Sequence, residues 1–156
     1  NLIYVDAAGF NTMESTPTAS TAVTEEEIKA FKQERYPTMA KGQLGDFYDS
    51  LPFRGWDTKY QEVMRYKGFV RALISTQKNR VDLAAEQRKI AASGIPTFAI
   101  WGEHDTVVKL SDVSANLMER LPAIRLTVIQ KAGHLPHMEQ AREFNTLLFD
   151  NIVSGK

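Results

Sequence analysis

Cysteine is missing from all 156 residues. That absence excludes disulfide staples, cysteine-ligated zinc and a thiolate nucleophile, and it is compatible with a cytoplasmic protein. Charge of one sign is missing too. The 19 Lys and Arg residues offset 19 Asp and Glu, so no net field draws the chain to nucleic acid or to an anionic membrane. No run of like charges forms a tail, no apolar run reaches the roughly 20 residues that span a bilayer, and no stretch reads as a signal peptide. What is present, 43% hydrophobic and 24% charged residues, excludes a chain disordered throughout and is enough for one core.

The densest information lies between Ile95 and Glu139. Thr97 to Trp101 is a short apolar run ending abruptly at Gly102-Glu103-His104-Asp105, the pattern of a buried parallel strand that delivers an Asp at its carboxyl end. Leu126 to Ile129 is a second such run, ending at Ala132-Gly133-His134. Between them Ser111 to Leu121 reads as a helix, with Ser111 as N-cap and Val113, Leu117, Met118 and Leu121 on one face. One βαβ unit results, and its parallel strands put Asp105 and His134 at the same edge of a sheet.

Elsewhere the pattern is simpler. Leu2 to Val5 reads as a strand that ends at Asp6-Ala7-Ala8-Gly9, with Gly9 allowing a sharp turn. The polar run from Asn11 to Ala22 reads as a linker. Thr24-Glu25-Glu26-Glu27 is a capping box that starts a helix expected to end at Tyr36-Pro37, and its glutamates favour the helix dipole rather than a metal. A glycine-punctuated aromatic cluster follows from Met39 to Asp57. Thr58 to about Thr76 then reads as one long helix, irregular at Gly68, and Val81 to Ala92 as a shorter one. Pro136 to Ile152 is expected as a final helix with Ala141, Phe144, Leu148 and Ile152 in one stripe.

The words IPTFAIWGEHDTVV and LTVIQKAGHLPHMEQAREFNTLLFDNI resemble the C-terminal end of an α/β-hydrolase. In that family the acid of a Ser-His-Asp triad sits in a Gly-Glu-x-Asp turn and the His in a Gly-His turn, in the chain order Ser, Asp, His. The resemblance therefore implies Asp105 as the acid and His134 as the base. LIYVDAAGF is similar to the strand that follows the family's nucleophile helix. The implied fold class is α/β, a partial α/β-hydrolase fold of three parallel strands with flanking helices plus a helical cap. Residues 1–10 and 80–156 would form part of the core, and 11–79 the cap or lid.

One departure matters: no serine here has glycines two residues to either side, so the family's Gly-x-Ser-x-Gly turn is missing. The nucleophile is then expected outside this chain, and the isolated chain is expected to be inactive. Strand residues directly after Asn1 fit the same expectation of a partial chain, whose first strand would pair with the missing N-terminal half or with a second copy.

The chemistry needs this pair because a neutral imidazole must take the nucleophile's proton while a carboxylate on its far nitrogen fixes the tautomer. Hydrolysis of a small-molecule ester or related carbonyl is the implied reaction, without a cofactor or metal. The same scaffold hosts epoxide, haloalkane and C-C bond hydrolysis, and a catalytically silent binding or interaction module is the alternative from another class. His104, His137 and Glu139 match no zinc spacing and read as structural or solvent-exposed, with Glu139 as a helix cap. Glu103 reads as an orienting group of the acid turn or a solvated side chain.

Overall fold

The computed structural model describes residues 1–11 and 22–153, the last four by backbone alone. Most of the expected linker falls on 12–21, outside the described residues. The chain divides into two compact units, one of Asn1–Thr12, Asp46–Asp49 and Leu83–Lys156, the other of Met13–Gly45 and Ser50–Asp82.

In the first unit β1 (Leu2–Val5), β2 (Thr97–Gly102) and β3 (Arg125–Ile129) form a sheet in the order β1-β2-β3, with both pairings parallel. Ile100 stands between Val5 and Thr127. Every residue of β2 is buried, and its side chains alternate between two cores. Ala99 and Trp101 pack with Phe10 and with Val113, Leu117 and Leu121 from the crossover helix, while Phe98 and Ile100 pack with Ile129, Ala132 and Phe144. A strand covered on both faces has no polar side to show, which is why this run reads as continuously apolar. Each large side chain so buried contributes about 1.5–3 kcal/mol.

Four helices accompany the sheet in this unit: α4 (Ala84–Ala92), α5 (Leu110–Arg120), α6 (Pro136–Glu139) and α7 (Ala141–Asn145), the last running into a π-helical stretch, Thr146–Val153. Buried and half-buried polar side chains pin the turn after β1. Gln87 donates to the carbonyl of Gly9 at 3.0 Å, Arg120 donates to Gln87 at 3.1 Å, and Asn116 donates to the carbonyl of Phe10 at 2.7 Å. Gly9 itself has φ +104°, the left-handed region the sharp turn requires.

The structure corrects three local expectations here. The N-cap of α5 is Lys109, and Ser111 lies in the first turn with its hydroxyl on Asp112. Val113, Leu117 and Leu121, spaced by four, form the buried stripe, whereas Met118 sits a further 100° round the helix and is 43% exposed. The expected single final helix is interrupted at Gln140, whose φ and ψ of −123° and 49° leave the helical region while its side chain donates to the carbonyl of Lys131. Ala141 is exposed rather than part of the stripe, and the side chain of Ile152 lies outside the described residues.

The second unit holds α1 (Glu25–Gly42), α2 (Trp56–Val63) and α3 (Phe69–Lys78). The capping box is complete: Glu27 N–H donates to the Thr24 hydroxyl, and Thr24 N–H donates to the Glu27 carboxylate. Lys78 lies 2.7 Å from Glu27, and its hydrogen bond is the first cause that holds this carboxyl below its ordinary range. Contrary to expectation, α1 runs through Pro37. Gln33 and Pro37 are exposed, so water can take the carbonyl that proline leaves without its donor, and the Tyr36 hydroxyl anchors the next turn on the carbonyl of Met64 at 2.9 Å. The long helix expected over 58–76 is two helices, because Gly68 adopts a left-handed φ of +89°. No helix among the described residues is long and apolar enough to cross a membrane.

Two neighbouring substitutions on α5 separate the buried stripe from the exposed flank. Leu117→Ala is expected to lower the unfolding free energy by about 2–5 kcal/mol. Met118→Ala is expected to change it by less than about 0.5 kcal/mol. Urea denaturation followed by tryptophan fluorescence measures both, and equal losses would contradict the packing described.

Candidate active site

Beyond their last residues, β2 and β3 turn toward one another. Glu103 N–H donates to the carbonyl of Ile129, and His104 N–H to that of Ala132, each at 2.9 Å. So close an approach leaves no room for side chains: a Cβ on Gly102 would lie 1.9 Å from the carbonyl oxygen of Gly133. Gly133 is confined in turn, since its Cβ would lie 2.4 Å from the carbonyl oxygen of Asp46. These glycines are required by the contact between backbones.

The acid turn holds Asp105 by its own backbone. Oδ1 accepts from Val107 N–H at 2.8 Å and Val108 N–H at 2.9 Å, an Asx-type arrangement. The carbonyl of Val108 accepts from the buried indole of Trp101 at 2.8 Å, so the core fixes the loop that fixes the acid. Oδ2 remains for His134, whose Nδ1 lies 3.0 Å away. The Asp105 side chain is 1% exposed and that of His134 is 26% exposed. A carboxylate partner places the neutral ring's proton on Nδ1 and leaves Nε2, on the other side of the ring, to accept one.

The imidazole turn is held from the other side. Glu139 accepts from Gly133 N–H at 2.6 Å through Oε2, and from Tyr48 and Asp49 N–H at 2.7 and 3.1 Å through Oε1. His134 N–H donates to the carbonyl of Asp46 at 2.7 Å. Glu139 is thus a clamp on three backbone donors rather than the helix cap expected. Its role was hidden because Asp46–Asp49 is remote in sequence. Glu103 accepts from Lys131 N–H at 3.3 Å and lies 3.3 Å from the ring of His104, which stacks on Tyr48 with centroids 4.2 Å apart. His137 meets the ring of Phe144 edge-on, and burial, then the charge of His134, lowers its pKa. Burial raises that of Asp46.

A third carboxyl belongs to this place and was not singled out in the sequence. Asp6, directly after β1, is 4% exposed and has a left-handed φ of 41°. Its Oδ1 accepts from Gly102 N–H at 2.8 Å. One oxygen of Asp6, one of Asp105 and a ring nitrogen of His134 all lie within 4.8 Å of one another. This is a possible metal-ligand set by proximity, but the 3.0 Å contact of Nδ1 with Oδ2 already joins through a proton the atoms a cation would need. The available signal was an acid at the end of an apolar strand, the same pattern that marked Asp105.

Burial pushes the Asp6 carboxyl up to about 8, against the pull of the Gly102 N–H and with repulsion from Asp105 and Glu139 added. A carboxyl raised in the folded state binds its proton more tightly there than in the unfolded chain. Its contribution to stability is complete below pH ~4 and is lost as pH rises through about 8. Relative to Asp6→Asn, the wild-type chain is therefore expected to lose stability steadily across that window, with folding taking up as much as one proton. Denaturation midpoints of both proteins from pH 4 to 9 measure this, and parallel curves would contradict it.

The family model described as alpha/beta hydrolase fold matches residues 13–141. A 2-hydroxy-6-oxononadienedioate/2-hydroxy-6-oxononatrienedioate hydrolase from Cupriavidus pinatubonensis is 30% identical over 84 residues, which are 54% of this chain and 28% of that protein. An esterase from Exiguobacterium antarcticum superposes with a TM-score of 0.68 at 21% identity, over 96% of this chain and 55% of that one. A meta-cleavage product hydrolase from Pseudomonas fluorescens IP01 gives 0.67 at 22% identity, over 99% and 56% respectively. At those identities the two structures speak for the fold, and the chain spans little more than half of each.

Proposed function

The chain belongs to the α/β-hydrolase fold family, and from that premise we propose that it supplies the acid, Asp105, and the base, His134, for nucleophilic hydrolysis at a carbonyl carbon. The observation that carries this reading is the 3.0 Å contact of Asp105 Oδ2 with His134 Nδ1, made by two turns that leave neighbouring parallel strands at the same edge. Nε2 takes the proton of an attacking hydroxyl, and the buried carboxylate stabilises the imidazolium that forms. The attacking group comes from a segment outside this chain. β1 pairs only with β2 among the described residues, and its other edge is the place where such a segment, or a second copy, adds a strand.

The substrate in this reading is a small molecule with an ester-like or conjugated keto carbonyl. The relative that acts on 2-hydroxy-6-oxo dienedioates supports a C-C bond beside a carbonyl as the bond broken, and the esterase neighbour supports an ester. Both reactions include attack on a carbonyl carbon, the step that the same acid and base would serve in either. Residues 11–79 act as the family's helical cap in this reading, and 1–10 with 80–156 as part of its core.

The test joins this chain to a family segment that bears the Gly-x-Ser-x-Gly turn and measures hydrolysis of p-nitrophenyl butyrate and of a 2-hydroxy-6-oxo dienoate. His134→Ala is expected to lower kcat by about 10⁶-fold, and Asp105→Asn by about 10⁴-fold through the wrong tautomer. The chain alone is expected to show no turnover. Undiminished rates in both variants would overturn the assignment.

A further inference from the structure

Asp6 has a function that the acid–imidazole relay alone does not explain. Its Oδ2 is buried and meets no hydrogen-bond donor among the described residues, although Oδ1 is held by Gly102 N–H. An orphaned oxygen at that depth is costly unless it carries a proton of its own to donate. Asp105 offers the acceptor. Two N–H groups occupy its Oδ1, whereas Oδ2 has one described partner, His134. A carboxylate oxygen accepts two hydrogen bonds, so one place on Oδ2 is left. Asp6 also holds a left-handed φ of 41°, which in a non-glycine residue persists only where its surroundings hold it.

We propose that Asp6 is a positioning residue of this site: as a neutral carboxylic acid it donates a hydrogen bond from Oδ2 to Oδ2 of Asp105, holding that carboxylate against His134. The inference deepens the proposed relay and rests on it. No bond forms or breaks, and the proton stays on Asp6 while His134 gains and loses its own. The titratable groups that face the three are Glu139, whose charge acts on Asp6; Asp46, on which Asp105 and His134 act; and His137, on which His134 acts. When Asp6 loses its proton, two like charges confront each other within 4.8 Å, and the contact turns from attraction to repulsion. The relay therefore carries an alkaline limit with a midpoint near the value of about 8 to which burial has lifted Asp6.

The test is a titration of this chain with ¹³C-labelled aspartate carboxyls and ¹⁵N-labelled histidine rings from pH 4 to 10, without substrate, so that its outcome is separate from hydrolysis. The expected result is a step in the Asp6 carboxyl near pH 8, with the Asp105 carboxyl and the His134 ring shifting at the same midpoint. Asp6→Asn, whose amide donates in place of the acid, should abolish the step near pH 8 and remove its echo from the Asp105 and His134 resonances. Asp6→Ala should abolish it and displace both resonances. An Asp6 carboxyl that titrates near pH 4, or Asp105 and His134 resonances that ignore its step, would overturn the proposal. The wild-type titration decides this even if a variant fails to fold.

Discussion

Two backbones touch where β2 and β3 end, and the rest of the structure depends on that contact. The space a Cβ on Gly102 would need is already filled by the carbonyl oxygen of Gly133. The acid turn and the imidazole turn can therefore share hydrogen bonds, and the two side chains they carry meet at 3.0 Å. Preorganisation of this kind is inexpensive in a sheet packed on both faces, because the strands have no freedom to separate the turns. The trade is in tolerance, since neither glycine position can accept a side chain without moving backbone.

Around that contact the polar groups are stacked in depth. Asp105 is fixed by two amides of its own loop, the loop is fixed by Trp101, and the imidazole turn is fixed by Glu139 and by the carbonyl of Asp46. Asp6 completes the set from a third strand. An oxygen of Asp6, an oxygen of Asp105 and a ring nitrogen of His134 lie within 4.8 Å of one another, and burial raises the Asp6 carboxyl to about 8. Both turns and the end of β1 thus contribute to one electrostatic unit at one edge of the sheet.

Much of this was legible in the sequence. Apolar runs ending at Gly-Glu-His-Asp and Ala-Gly-His gave two parallel strands and the two residues at their ends; β2 is buried along its whole length, whereas β3 is buried only at Ile129. The capping box at Thr24 was equally local. Non-local features were harder to read. Pro37 stays inside a helix where Gln33 and Pro37 are exposed to water, and the exposed Gly68 takes a left-handed dihedral between two helices where composition suggested one irregular helix. Glu139 and Asp6 act across some 90 residues of chain separation, a distance at which spacing carries no signal.

The measurement closest to the central claim is the tautomer of neutral His134, read from two-bond ¹H–¹⁵N correlations of its ring. Asp105 at 3.0 Å from Nδ1 predicts a protonated Nδ1 and an unprotonated Nε2. A ring protonated on Nε2 would mean that the carboxylate does not hold the imidazole, and that the base faces the wrong way for the chemistry proposed.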